Sequence, residues 1–448
     1  MCRRAISTCR RLVYPFAPRI DRSSKAYDSQ MTQVTLFTPA KVHYIGAVLW
    51  LLASVRGVAA EAPPYSVLLQ QSMASAPAMM AQAATVRAAD ADANQARAWL
   101  NPRIDTVLEN LGAPSSDGTS QRQNTYSITQ PFEVGGKRGA RIEVGDRNYA
   151  AAQARERLAR VAYAAELAVA YAAAEAMAAR MALATENLAR ANEEFTAARA
   201  LVQSGKEAAL RSAQAQASVA AAQAAQAAAD NDATHALARL SAMTGAAEPY
   251  TAVSSSLLTT QGTVPTAALP GQEAPTVAAA EAERNALDAQ VGVERKRWIP
   301  DVGVSAGVRR YGWTNASGYV VGVTASIPLF DQNRSGINAA VERVAAAQAR
   351  LDNMRLEAVA ARRSAISQVS ATDRQITAAE EGERAAAEAY RMGRVGYNAG
   401  KTPLMELLAV RRALLEARQL TIDARLARVR ALAVLAQADG HLAFEDTK

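Results

Sequence analysis

Cysteine is nearly missing from this 448-residue chain: Cys2 and Cys9 are the only two, and both lie near the N-terminus. The remainder therefore has no disulfide framework, no thiolate metal site and no cysteine to accept a lipid. Aromatic residues make up only 5% of the chain, while alanine is abundant throughout. Such a composition suits long helices packed through small side chains better than a globule with a thick core. Histidine is also scarce, with only His235 and His441 beyond residue 60. They lie far apart and have no cysteine company, so no Cys/His pair has ligand spacing and His235 reads as a helix-surface or packing residue.

A net charge of +8 suggests a nucleic-acid partner until its location is examined. Residues 1–60 hold nine Lys/Arg and two acids, which leaves +1 for everything after Ala60. The basic balance belongs to the N-terminal segment, and no nucleic-acid partner is expected. That segment reads as an export signal: "IGAVLWLLASVRGVAA" (45–60) is apolar, follows basic residues, and ends in small residues before Glu61. Arg56 interrupts a run already shorter than the ~20 apolar residues of a membrane span, which argues against an anchor. The upstream part is long for a signal, and Met31 offers a second start.

Catalytic patterns are missing too. There is neither a G-x-S-x-G elbow nor an H-E-x-x-H pair, and the many carboxylates sit beside Arg and Lys on helices. "QPFEVGGKRGARIEVG" (130–145) resembles a phosphate loop only superficially. No glycine lies five residues before Gly136, and Arg138 stands where Ser or Thr should follow the lysine. Neither an enzyme activity nor a cofactor is expected.

What is present is a duplication. "AAAQAR" occurs at 150–155 and 345–350, an offset of 195 that also relates Gly205–Lys206 to Gly400–Lys401 and Gly245 to Gly440. Residues 61–245 and 273–440 read as two repeats joined by a Ser/Thr/Pro/Gly-rich linker at 246–272, with 441–448 as a tail. Each repeat begins with an approach helix ended by Pro102 or Pro300. Two strands follow, 103–112 and 124–132 in the first repeat, 302–311 and 319–328 in the second. In the second repeat Val302, Val304, Ala306 and Val308 share a face, as do Tyr319, Val321, Val323, Ala325 and Ile327. Proline-free helices then run over 137–203 and 335–398, break at Gly205 and Gly400, and return. In the last return Leu408, Leu415, Ile422 and Val429 recur every seven residues, a coiled-coil seam.

Four strands with one apolar face cannot stand alone in a membrane, where every backbone polar group must be paired. Barrels need at least eight strands. Three copies would supply twelve, with twelve long helix segments to continue the tube. The alternative is a periplasmic helical tether whose hairpins merely cap it.

These residues resemble the TolC-like outer membrane efflux family. "YNAGKTPLMELLAVRRALLEARQ" (397–419) is similar to its helix-turn-helix tip, and "QPFEVGGKRGAR" to the Q-x-x-E-x-G-G-K-R-x-x-R run of its cobalt–zinc–cadmium (CzcC-type) branch. The resemblance implies a mainly α fold with a small β part. In it, long helical hairpins form a periplasmic α-barrel, and four strands per chain join a trimeric twelve-strand outer membrane β-barrel. It further implies a passive exit duct for heavy-metal cations, a homotrimer in outer membrane lipid. Its partners would be a periplasmic adaptor and an inner-membrane pump of the resistance–nodulation–division type. A duct for organic compounds or type I secretion is the alternative within the family. The tips, Ser204, Gly205, Lys206, Asn398, Gly400 and Lys401, are then expected to dock the adaptor. Glu406 falls at an acidic throat position, where the first repeat has Arg211. Gly135, Gly136 and Gly139 would bend strand into helix, with Lys137, Arg138 and Arg141 at the membrane's inner boundary.

Overall fold

The computed structural model describes residues 61–115, 117–260, 273–314 and 316–445. The expected export signal, half of the linker and the last three residues lie outside the described residues. The elements are α1 (Tyr65–Ser75), α2 (Pro77–Ala96), β1 (Arg103–Glu109), β2 (Gln123–Phe132), α3 (Lys137–Gln203) and α4 (Ala209–Thr244). They continue as α5 (Pro275–Lys296), β3 (Val302–Tyr311), β4 (Ser317–Ala325), α6 (Arg334–Asn398) and α7 (Leu404–Asp439).

With 67 and 65 residues, α3 and α6 are each about 100 Å long at 1.5 Å per residue. Alanine explains how α3 is enclosed. Over 161–176 it buries residues on nearly every side, among them Ala164, Leu167, Ala168, Tyr171, Ala172, Ala174 and Ala176, all at 0% exposure. Tyr65 and Leu68 of α1, Leu240 of α4, Val429 and Ala433 of α7, and Leu257 belong to the same cluster. A larger residue at those alanines would hold the neighbours apart. By length and composition α3 is also apolar enough to cross a membrane.

The described part of the linker is bound down at this belt. Glu175 accepts the N–H groups of Leu257 (2.7 Å) and Leu258 (3.1 Å) as well as the Ser256 hydroxyl. Tyr171 donates to the Ser255 carbonyl at 3.1 Å, and Ala62 bridges to Val253 in parallel fashion.

The four strands form one antiparallel sheet in the order β1-β2-β3-β4, so β1 and β4 are its edges. β1 ends at Glu109, short of the expected 112, because Asn110 (φ 57°) and Gly112 (φ 80°) turn the chain. β4 starts at Ser317 and stops at Ala325, so Ile327 falls outside the strand, just before Pro328. The apolar face of this sheet is its exposed one. Ile104 is 78% exposed, Tyr319 93%, Val321 77% and Val323 71%, whereas Thr125 and Thr129 on the opposite face are 7% exposed. That polarity is inverted relative to a sheet packed on a water-soluble core.

The expected seam of α7 is offset. Its buried residues near the tip are Leu404, Leu407, Arg411, Leu414 and Thr421, while Leu408, Leu415 and Ile422 are only half-buried; Val429, the fourth expected seam residue, is buried. The helix packs between α6 and α3, so its deepest line follows both neighbours rather than one.

Candidate functional sites: the helical tip and the strand-to-helix joint

At the tip, α3 and α6 end in the same way. Gly205 and Gly400 both take φ 71°. The Lys206 N–H reaches back to the Leu201 carbonyl at 3.0 Å, and the Gly205 N–H to Val202 at 3.0 Å. Their counterparts are Lys401 to Gly396 and Gly400 to Tyr397, both at 2.9 Å. This pair of bonds satisfies carbonyls left over at a helix end, and its left-handed position suits a residue without Cβ. Ser204 donates its hydroxyl to the Leu201 carbonyl at 2.9 Å.

The two turns lie side by side. Lys206, Glu207, Arg211, Tyr397, Asn398 and Lys401 line a cavity of about 670 Å³ between them. Leu404 of the second hairpin packs on Ala198 and Ala215 of the first. Burial, with Glu207 and Glu194 nearby, pushes the Tyr397 phenol up from its usual value. Lys206, Asn398 and Lys401 are exposed. Glu406 is exposed in the first turn of α7, and among the described residues it has no ion-pair partner. Arg211, its counterpart in the first repeat, pairs with Glu207 at 3.4 Å.

Behind the tip lies a lock that sequence reading missed. Arg411 of α7 bonds Glu194 of α3 at 2.5 Å and the Ser218 hydroxyl of α4 at 2.6 Å. The side chains of Arg411 and Glu194 are only 8% and 11% exposed. Burial raises the Glu194 carboxyl above the usual range, and the Arg411 guanidinium pulls it back only in part. Arg418 pairs with Glu186 at 2.9 Å, and Arg425 with Glu380 at 2.8 Å. Arg411, Arg418 and Arg425 are seven residues apart, and that spacing was the available signal.

At the joint, Gly135 (φ 66°) and Gly136 (φ 76°) carry the bend. A Cβ on Gly135 would meet Ile299 Cδ1 at 2.5 Å. Gly139, expected to share the bend, is instead an ordinary residue of the first turn of α3, with open space around it. The basic residues turn into the protein rather than outward. Arg141 donates to the carbonyls of Ala96 (2.6 Å) and Ala98 (3.1 Å) and pairs with Glu133 at 2.5 Å. Arg138 donates to Arg97 O at 2.5 Å and stacks over Trp99, while Lys137 pairs with Asp301 at 3.0 Å. Arg138 and Arg141 cap the end of α2, where unpaired carbonyls and the helix dipole favour cations.

The second repeat solves the same bend with Asn333, a residue sequence reading passed over. It takes φ 54°, and its amide bonds the Glu294 carbonyl (3.0 Å) and carboxylate (2.6 Å) at the end of α5. This bond, with smaller help from Gln290 and Arg297, holds the Glu294 carboxyl below its usual range. Asp-x-Asn-x-Ser-Gly (331–336) was the local turn signal.

His235 is exposed on α4, and among the described residues no group of three or more His, Cys, Asp or Glu side chains is arranged to hold a metal ion.

Two repeats of strand pair and long helical hairpin, with a sheet apolar on its outside, define a membrane-channel protein of the efflux-duct class. The family model for "outer membrane efflux protein" matches residues 68–246 and 270–441, and the chain belongs to that family. It is 78% identical over 93% of its length, and all of the relative's, to the nickel and cobalt resistance protein CnrC of Cupriavidus metallidurans. Identity to the nickel-cobalt-cadmium resistance protein NccC of Alcaligenes xylosoxydans xylosoxydans is 72% over 92% of the chain and 95% of the relative. To the cobalt-zinc-cadmium resistance protein CzcC of C. metallidurans it is 30% over 57% of the chain and 60% of the relative. In fold it is similar to the Campylobacter jejuni CmeC outer membrane channel, with a TM-score of 0.74 at 14% identity, covering 86% of this chain and 87% of that one.

Proposed function

We propose that this chain is the outer membrane exit duct of a three-part efflux system for divalent metal cations, nickel and cobalt foremost. The inverted sheet carries the duct reading: an apolar outside, a polar inside and two open edges suit closure with two further copies into a barrel. The cargo reading rests on the relatives. Nickel and cobalt are named for both relatives above 70% identity, whereas zinc is named only for the one at 30%. Absence of a resident metal-binding cluster among the described residues suits a duct that conducts ions selected by its pump.

In this reading the paired tips, with Ser204, Gly205, Lys206, Asn398, Gly400 and Lys401, receive a periplasmic adaptor. Glu406 repeats three times around the throat. The pump drives export and the duct is passive.

Deleting the gene from its host is expected to sensitise cells to nickel and cobalt while leaving tolerance of dyes and detergents unchanged. Sensitivity to the organic compounds alone would shift the cargo to the second reading, an organic-compound duct. Glu406→Ala is expected to alter single-channel conductance or block by divalent cations in planar bilayers. Unaltered traces would remove Glu406 from the throat.

A further inference from the structure

The inward face of the sheet carries four charges per chain, Arg103, Asp105, Glu109 and Arg309. Arg310 is the only other charged residue of the four strands, and it lies on the opposite, exposed face. Cross-strand register places Val107, Thr125, Arg309 and Gly318 in one row, with Glu109, Gln123 and Tyr311 in the next row on that face. Arg309 donates to the Thr125 hydroxyl at 3.0 Å and lies 3.6 Å from Glu109. Thr125 thus holds the guanidinium against the sheet wall beside the carboxylate. At the other end Asp105 accepts from Thr129 at 3.1 Å and faces Arg103 at 3.3 Å. The four charges cancel in two pairs.

We propose that Glu109 is a selectivity determinant of the barrel: it neutralises Arg309, so that the lumen offers no net positive barrier to an outgoing cation. The inference rests on the duct reading above. Without Glu109, a trimer would present three uncompensated arginines around the lumen, a ring of one sign that repels cations and draws anions. The pair itself is half-exposed and contributes little to folding. A purely structural role for it is therefore poorly supported.

The chain's lack of cysteine after residue 9 makes the test direct. Ser127 faces inward in the row of Asp105 and Gly307, next to the row of Arg309. Ser127→Cys, in the full-length protein in outer membranes, is reacted with cationic and anionic water-soluble methanethiosulfonates. The chain without the added cysteine supplies the background.

Glu109→Gln should lower the cation-to-anion rate ratio about threefold or more, since the Arg309 charge it uncovers belongs to the adjacent row, roughly 7 Å along the strand and inside a ~10 Å screening length. Arg309→Gln should raise the ratio, and the double variant should restore it. Ratios unmoved by either single variant, or moved the same way by both, overturn the proposal. Val321→Cys on the exposed apolar face should stay protected from both reagents. If it reacts as fast as Ser127→Cys, the membrane-wall reading fails, and the proposal with it. Protection of Val321→Cys with unmoved ratios sinks the proposal alone.

Discussion

Glu194 and Arg411 show how one pair can tie two hairpins together. Two charges at 8% and 11% exposure have left water, and removing one partner strands the other. Arg411→Ala is expected to cost about 3 kcal/mol, and Arg411→Met of similar length much less, read as the trimer's unfolding midpoint. Glu194 also sets a pH dependence. Its folded carboxyl titrates above its unfolded value, so the folded state binds the proton more readily between the two. Its contribution is greatest below the ordinary value of about 4.3 and declines as pH rises through the raised one. Glu194→Gln should flatten stability against pH in that window; an unchanged slope in thermal melts would refute the assignment.

Among the elements, the strand-to-helix joint is the most constrained. Its glycines take a left-handed backbone, and the three basic residues after them hold the end of α2 and Asp301. Gly135→Ala combines a strained φ with a Cβ set against Ile299, and should cost about 1–3 kcal/mol in trimer melting. In the second repeat two substitutions separate backbone from side chain. Asn333→Gly keeps the positive φ and loses the bonds to Glu294, whereas Asn333→Ala loses both. The alanine variant should therefore melt lower than the glycine variant, and the reverse order would contradict a backbone role.

For the whole molecule, the face a strand residue occupies decides what it tolerates. Val321→Lys on the exposed apolar face should cost about 2–4 kcal/mol per chain near the bilayer midplane and deplete trimers from outer membrane fractions. Ser305→Lys, on the polar face of β3, should be recovered at near-normal yield. Equal yields from the two would argue against a barrel wall. α3 answers to a different solvent: its apolarity serves an interior lined by α1, α4, α7 and the linker, the belt around Tyr171.

How much of this was legible depended on the range of the interaction. Periodicity, proline, glycine and the 195-residue offset are local or repetitive signals, and by themselves they determined the long helices, their breaks and the two strand pairs; the duct function came from the resemblance to the efflux family. The diglycine marks the joint in the sequence, whereas the partners of its basic residues are not legible there, because no local rule reveals a partner 45 residues away, as Arg141 has in Ala96. In the tip half of α7 the buried line is one residue from the expected seam, which holds at Val429, because a period of seven does not say how many neighbours a helix has. Only tertiary structure decided that the linker is clamped by Glu175, that Asn333 does what two glycines do in the first repeat, and that Arg309 stands beside Glu109. Each of those depends on which side chains long-range packing brings within a few ångströms, and sequence spacing carries no such distance.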